Sequence, residues 1–212
     1  MADLESDCHA VRRDRRDSRE EYIMKKNDLL LVIDMQNVYL PGEAWGCPSA
    51  PSAVLNICRL LDADVAEHVV FTRFVPPNPE IGTWKDYNIA NADINASEYL
   101  NDMMDGLKPY LAKYPLYEKS TYTSCRVPEV TEIMKTADRI VLTGVVADCC
   151  VLATMMEAID NGYKVVYLTD CVAGSTIENE EAAARIAETL SPVQTLVMSS
   201  EEYLAEKTSK SI

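Results

Sequence analysis

The apolar positions of this chain fall in short continuous runs separated by amphipathic stretches. LLLVI (29–33) contains no polar residue, as a strand covered on both faces requires. HVVFTRF (68–74) and RIVLTGV (139–145) repeat the signal, and KVVYLTD and QTLVMS add two more strands further on. Helical patterns lie between them. Residues 52–66 carry Val54, Ile57, Leu60, Leu61 and Val65 at helical spacing. Pro128 suits the first turn of a helix running to about 137, and a helix from Cys149 to Asn161 stops at Gly162. Further helices are predicted near 97–105, 178–190 and 200–206, and a short strand near 115–118. Strands alternating with helices predict an α/β protein of three α/β/α layers. Its centre is a doubly wound, six-stranded, mostly parallel sheet, Rossmann-like in plan.

Two stretches break the alternation. Residues 1–24 are dense in mixed charge and nearly free of large apolar side chains, and read as a disordered leader or upstream sequence. That leaves 25–212 as a single domain, a normal size for one α/β unit. Residues 75–96 hold three prolines and no sustained period, and read as a long loop. Loops of that length in compact domains are usually functional.

Charge and cysteine content narrow the partners. A formal net charge of −14 argues against nucleic acid, whose phosphates need a basic surface. No apolar run approaches the length of a membrane span. The seven cysteines are odd in number and follow no visible signal peptide, so a reducing, cytoplasmic setting is expected. No cysteine pair has CxxC spacing and only two histidines exist, which argues against a zinc site.

In doubly wound sheets the ligand sits at the carboxyl ends of the strands, where the strand order reverses. Three residues at predicted strand ends form a candidate site. Asp34 ends the first strand in LLLVIDMQNVYL, Lys119 follows the short strand in YEKSTYTS, and Cys149-Cys150 follow the strand ending in TGVV. A cysteine at the first turn of a helix meets outward-pointing N–H groups and a favourable dipole, which lower a thiol pKa. The alternative is a buried packing cysteine. A carboxylate takes a thiol proton and a neighbouring cation favours both charged forms.

On these motifs, LLLVIDMQNVYL, the lysine of YEKSTYTS and TGVVADCCVLATMMEAID, the chain resembles the isochorismatase-like cysteine hydrolase superfamily over about 29–200. The resemblance implies that fold, with Cys150 rather than Cys149 as nucleophile, Asp34 as general base and Lys119 as the balancing charge. It implies a non-proline cis peptide between Val146 and Ala147, and an oxyanion hole from the Ala147 and Cys150 N–H groups. The expected chemistry is hydrolysis of a small-molecule amide, carbamoyl or ureido C–N bond through an acyl-thioester at Cys150. Metal-dependent nicotinamidases carry an Asp-x-His…His site after the second strand; TRFVPPNPEIGTWKDYN has no histidine, so neither metal nor cofactor is expected. The relatives that remain are metal-free amidohydrolases of the N-carbamoylsarcosine type. Two alternatives stand beside this: an isochorismatase-type vinyl ether hydrolase, against which Cys150 argues, and a catalytically silent binding or assembly protein. The resemblance also implies a homo-oligomer, dimer or tetramer.

Substrate contacts are expected from Gln36, Trp84, Tyr87, Tyr122 and Val146. Gln36 serves equally as a polar residue at a helix start, and Trp84 and Tyr87 either wall a pocket or anchor their loop. Arg73 binds a substrate carboxylate or forms a structural ion pair. Asp148 is expected to cap the nucleophile helix and Asp170 to fix a turn after its strand. Cys125 and Cys171 are expected to pack, and His68 to be structural.

Overall fold

The computed structural model describes residues 27–208; the leader expected over 1–24 lies outside them. Six strands form one parallel sheet: β1 (Asp28–Ile33), β2 (His68–Phe74), β3 (Leu116–Lys119), β4 (Arg139–Val145), β5 (Lys164–Ala173) and β6 (Thr195–Met198), in the order β3-β2-β1-β4-β5-β6. The order reverses between β1 and β4, so the crevice expected for a ligand opens above those two strands.

The reason β1 is apolar throughout is that both faces are covered. Leu30 and Val32 enter one core with Ile57, Leu60 and Tyr203. Leu29, Leu31 and Ile33 enter the other with Val130, Met134, Met155, Ala158 and Ala183. The first layer is built by α1 (Ala50–Asp62) and the terminal helix α8 (Ser200–Thr208); the second by α5 (Pro128–Met134), α6 (Leu152–Asp160) and α7 (Ile177–Thr189). The expected three-layer, doubly wound architecture is present.

At the amino end of the sheet, Asp28 is fully buried. It takes both Arg139 Nε (2.8 Å) and Arg139 Nη2 (2.6 Å), Lys207 Nζ (2.6 Å) and the Tyr203 hydroxyl (2.7 Å). This cluster ties α8 to β1 and β4, far from the carboxyl-end crevice.

Several expectations are corrected. The segment 75–96 is not structureless: it holds the short helices α2 (Trp84–Ala90) and α3 (Ala92–Ala96), and the helix expected over 97–105 is only one turn, α4 (Glu98–Asn101). The three prolines lie before α2, so they left the following residues free to coil. Strand β5 runs three residues beyond the expected end, which puts Asp170 inside the strand rather than in a turn. Its carboxylate accepts the Ser200 N–H (2.7 Å) and Ser200 hydroxyl (2.6 Å), fixing the first turn of α8. The cis peptide is at Val145–Val146, one bond before the expected Val146–Ala147. β4 keeps its ladder as far as Val145, opposite Ala173, and the chain leaves the sheet at that bond.

Candidate active site

Asp34 is the first residue past β1 and adopts φ 52°, a left-handed conformation that aspartate tolerates better than most residues. Its N–H is tied to the Thr72 carbonyl (3.0 Å) and its Oδ1 accepts the Thr72 hydroxyl (2.9 Å). The carboxylate is therefore held from β2 and is wholly buried. Its Oδ2 lies 2.6 Å from Lys119 Nζ and makes no further hydrogen bond.

Lys119 is the last residue of β3. Its ammonium donates to the Thr121 carbonyl (2.9 Å) and the Tyr122 carbonyl (2.8 Å), and lies 3.4 Å from Cys150 Sγ. Two of its three N–H groups are thus committed to backbone, and the third serves the carboxylate and the thiol together. The Phe74 ring, 5.5 Å from the ammonium, covers it from the β2 side. Burial alone would lower the Lys119 pKa; the Asp34 and Cys150 charges outweigh it and the net direction is upward.

Cys150 sits in a π turn, Ala147–Val151, that leads into α6. The Val146 carbonyl accepts from the N–H groups of Cys149 (3.0 Å) and Val151 (3.1 Å), on either side of Cys150. Thr154 Oγ1 donates to the Cys150 carbonyl (2.7 Å) and accepts the Ser124 N–H (3.0 Å), which ties this turn to the loop after β3. Sequence reasoning expected a lowered thiol pKa. In the structure, burial first and the Asp34 charge second push the Cys150 thiol well up, and Lys119 offsets only part of this. A helix-start field is screened in water and modest in size, while desolvation inside the fold is not.

A cavity of about 390 Å³ opens onto Cys150. It is lined by Tyr39, Trp45, Tyr87, Tyr122, Val146 and Cys149, with Ala44, Gly46 and Ser175 closing the rim. No charged side chain lines it. The rings are continuous: Tyr39–Trp45 centroids are 5.7 Å apart, Trp45–Tyr87 6.1 Å, Tyr87–Trp84 5.0 Å and Trp84–Tyr122 5.4 Å.

The structure brings Asp34, Lys119 and Cys150 into contact, and puts Tyr87, Tyr122 and Val146 in the cavity wall. It does not bring Gln36 there. The Gln36 amide donates to the Phe74 (3.1 Å) and Asn101 (3.2 Å) carbonyls and accepts the Phe74 N–H (2.8 Å), so every part of it is used in joining β2 to α4. Trp84 packs behind Tyr87 and Tyr122 rather than lining the cavity. Ala147 is fully buried in the core beneath the turn, while Val146 takes the wall position. Asp148 does not cap a helix: its carboxylate accepts the Ser175 N–H (3.0 Å) and hydroxyl (2.8 Å) and the Asn179 amide (3.3 Å), holding the loop after β5. Arg73 pairs with Glu118, the structural alternative. Cys125 and Cys171 are packed.

Sequence reasoning missed Tyr39, Trp45 and Ser175. Ser175 follows the end of β5 and was open to the strand-end argument. Tyr39 closes a single 3-10 turn (Asn37–Tyr39) after Asp34, and Trp45 follows it in an irregular loop; no period marks either. Among the described residues no cluster of three or more His, Cys, Asp or Glu side chains is placed to hold a metal ion. No helix among them is long and apolar enough to cross a membrane.

The fold recurs in solved structures. A cysteine hydrolase from Pseudomonas syringae pv. phaseolicola superposes with a TM-score of 0.74 at 19% identity, covering 86% of this chain and 93% of that one. An isochorismatase-like hydrolase from Alkaliphilus metalliredigens gives 0.65 at 22% identity, over 84% and 97% of the two chains. MAR1 ribonuclease from Caenorhabditis elegans gives 0.68 at 21% identity, over 88% and 83%. At these identities the likeness is one of fold. The isochorismatase domain model matches residues 28–202, which runs from β1 into α8 and takes in Asp34, Lys119 and Cys150. The chain belongs to the isochorismatase family of hydrolases.

Proposed function

We propose that this protein hydrolyses a C–N bond of a small neutral amide, carbamoyl or ureido compound, through an acyl-thioester on Cys150. The observation that carries the reading is the single Lys119 ammonium in contact with both Asp34 Oδ2 and Cys150 Sγ. A thiol held up by burial does not ionise to water. It needs an acceptor at hand, and Asp34 Oδ2 has a lone pair open.

Cys150 Sγ attacks the carbonyl carbon as its proton passes to Asp34, and the Lys119 charge stays opposite whichever of the two is negative. The carbonyl oxygen becomes an oxyanion against the turn amides, where Cys150 N–H is one donor and Val146 or Ala147 supplies the other. Each such donor is worth about 3–4 kcal/mol in related acyl transfers. Asp34 returns the proton to the leaving nitrogen as the C–N bond breaks. A water then attacks the thioester while Asp34 takes its proton; the acid leaves, and the thiol is restored.

The uncharged, aromatic wall supports a neutral and compact substrate, since a carboxylate there would have no cation to meet it. Ribonuclease activity, named for the nematode relative, is disfavoured by the net charge of −14. The test is iodoacetamide alkylation mapped by mass spectrometry. Cys150 is expected to react at least about tenfold faster than Cys125 and Cys171, because it has the Asp34 and Lys119 charges at hand to take its proton and balance the thiolate. Equal rates would remove the hydrolase reading and favour a silent binding protein.

A further inference from the structure

Tyr39 lines the cavity together with Cys150. It is 5% exposed and its ring is fixed against Trp45. Its backbone is tied at both ends of the 3-10 turn: its N–H donates to Gln36 (3.1 Å) and its carbonyl accepts from Cys47 (2.9 Å). Its hydroxyl, in contrast, has no hydrogen-bond partner among the described residues. Buried tyrosine hydroxyls usually find a partner, because an unmade hydrogen bond inside a protein costs stability. The hydroxyl is not sealed by protein, and the open space beside Tyr39 is the cavity. The charges that bear on it, after burial itself, are those of Cys150 and then Asp34. Tyr39 and Cys150 line the same cavity, and Tyr39 is nearly buried there. Burial and these two negative charges push the phenol well up, so it remains a donor throughout turnover.

We propose that the Tyr39 hydroxyl is a substrate-binding group, which donates a hydrogen bond to an uncharged acceptor, a carbonyl oxygen or ring nitrogen, next to the carbon that Cys150 attacks. The inference rests on the hydrolase reading above. With no cation in the wall, this neutral donor selects substrates that present an acceptor and no negative charge. A hydroxyl that opens on the cavity and is bonded to no protein group among the described residues is available to substrate, so it serves binding and orientation rather than folding.

Tyr39→Phe removes the oxygen alone and keeps the packed ring. Two probes of Cys150 separate the roles: iodoacetamide, which presents a carbonyl acceptor beside the attacked carbon, and iodomethane, which has none. Tyr39→Phe is expected to slow iodoacetamide alkylation of Cys150 about 3- to 10-fold, the range of one hydrogen bond, with iodomethane unaffected and the thermal midpoint unchanged. An equal fall for both probes would mean that Tyr39 acts on the thiol and would overturn the proposal. So would an unchanged rate for both. A wild-type Cys150 no faster than Cys125 overturns the hydrolase reading and this inference with it, and that outcome is visible in the wild-type arm alone.

Discussion

Gly144 lies opposite Ile33 in the β1–β4 ladder, so close that a Cβ on Gly144 would fall 2.1 Å from the Ile33 carbonyl oxygen. Its φ of +105° is also one that other residues avoid. The contact sits one residue below Asp34, at the reversal of strand order. Gly144→Ala must push β1 and β4 apart there. It is expected to cost about 3 kcal/mol or more, measured by urea unfolding, and to lower Cys150 reactivity in the molecules that remain folded. A stability within about 0.5 kcal/mol of wild type would contradict the tight approach.

Asp34→Asn tests the proposed proton acceptor. Burial and the Asp34 charge both raise the Cys150 thiol, so removing the charge moves the thiol pKa down from its wild-type position. Thiolate absorbance in the ultraviolet is expected to appear at lower pH than in wild type. Turnover of any amide that the wild type cleaves is expected to fall about 10²-fold or more, because the acceptor is lost. Loss of turnover with no change in thiol titration would place Asp34 outside the thiol's field.

Lys119→Met works in the opposite direction. The ammonium is the group that lowers Cys150, so without it burial and Asp34 act unopposed and the thiol rises further. The pH profile of Cys150 alkylation is expected to move to higher pH. The variant also leaves Asp34 buried without a counter-charge, at a cost of about 3–5 kcal/mol. A profile that does not move would separate Lys119 from the thiol.

Asp28→Asn tests the opposite end of the sheet. Burial raises the Asp28 pKa, but Arg139, Lys207 and Tyr203 outweigh it and the net direction is down. A carboxyl depressed in the folded state adds stability that is complete above its ordinary pKa, about 3.9, and is lost as pH falls through the folded value. The wild type is expected to lose stability in acid below that range. Asp28→Asn removes this component of the acid sensitivity and, by leaving buried Arg139 with its Glu206 pair but without the Asp28 carboxylate, costs up to about 3–5 kcal/mol at neutral pH. Circular dichroism across an acid titration checks both.

The sheet was legible because burial on both faces demands largely apolar strands, and LLLVI and RIVLTGV are short runs of that kind. The trio of the candidate site was legible for a related reason. Asp34, Lys119 and Cys150 each stand where a recognisable strand stops, and a doubly wound sheet gathers such ends on one side. The tertiary structure decided what these positions feel and what surrounds them. Cys150 reads as an activated thiol from its place at a helix start, yet desolvation and the Asp34 charge, which depend on everything packed around it, set the opposite direction. Gln36 reads as a site residue two positions past Asp34, yet its amide is consumed by Phe74 and Asn101, partners 38 and 65 residues away. Tyr39 and Trp45 gave no periodic signal, because irregular loops reach a cavity through contacts distant in sequence. Local pattern determined the strands and the residues at their ends. Burial, charge and hydrogen-bond partners came only from the folded chain, since each is a sum over neighbours that the sequence does not keep adjacent.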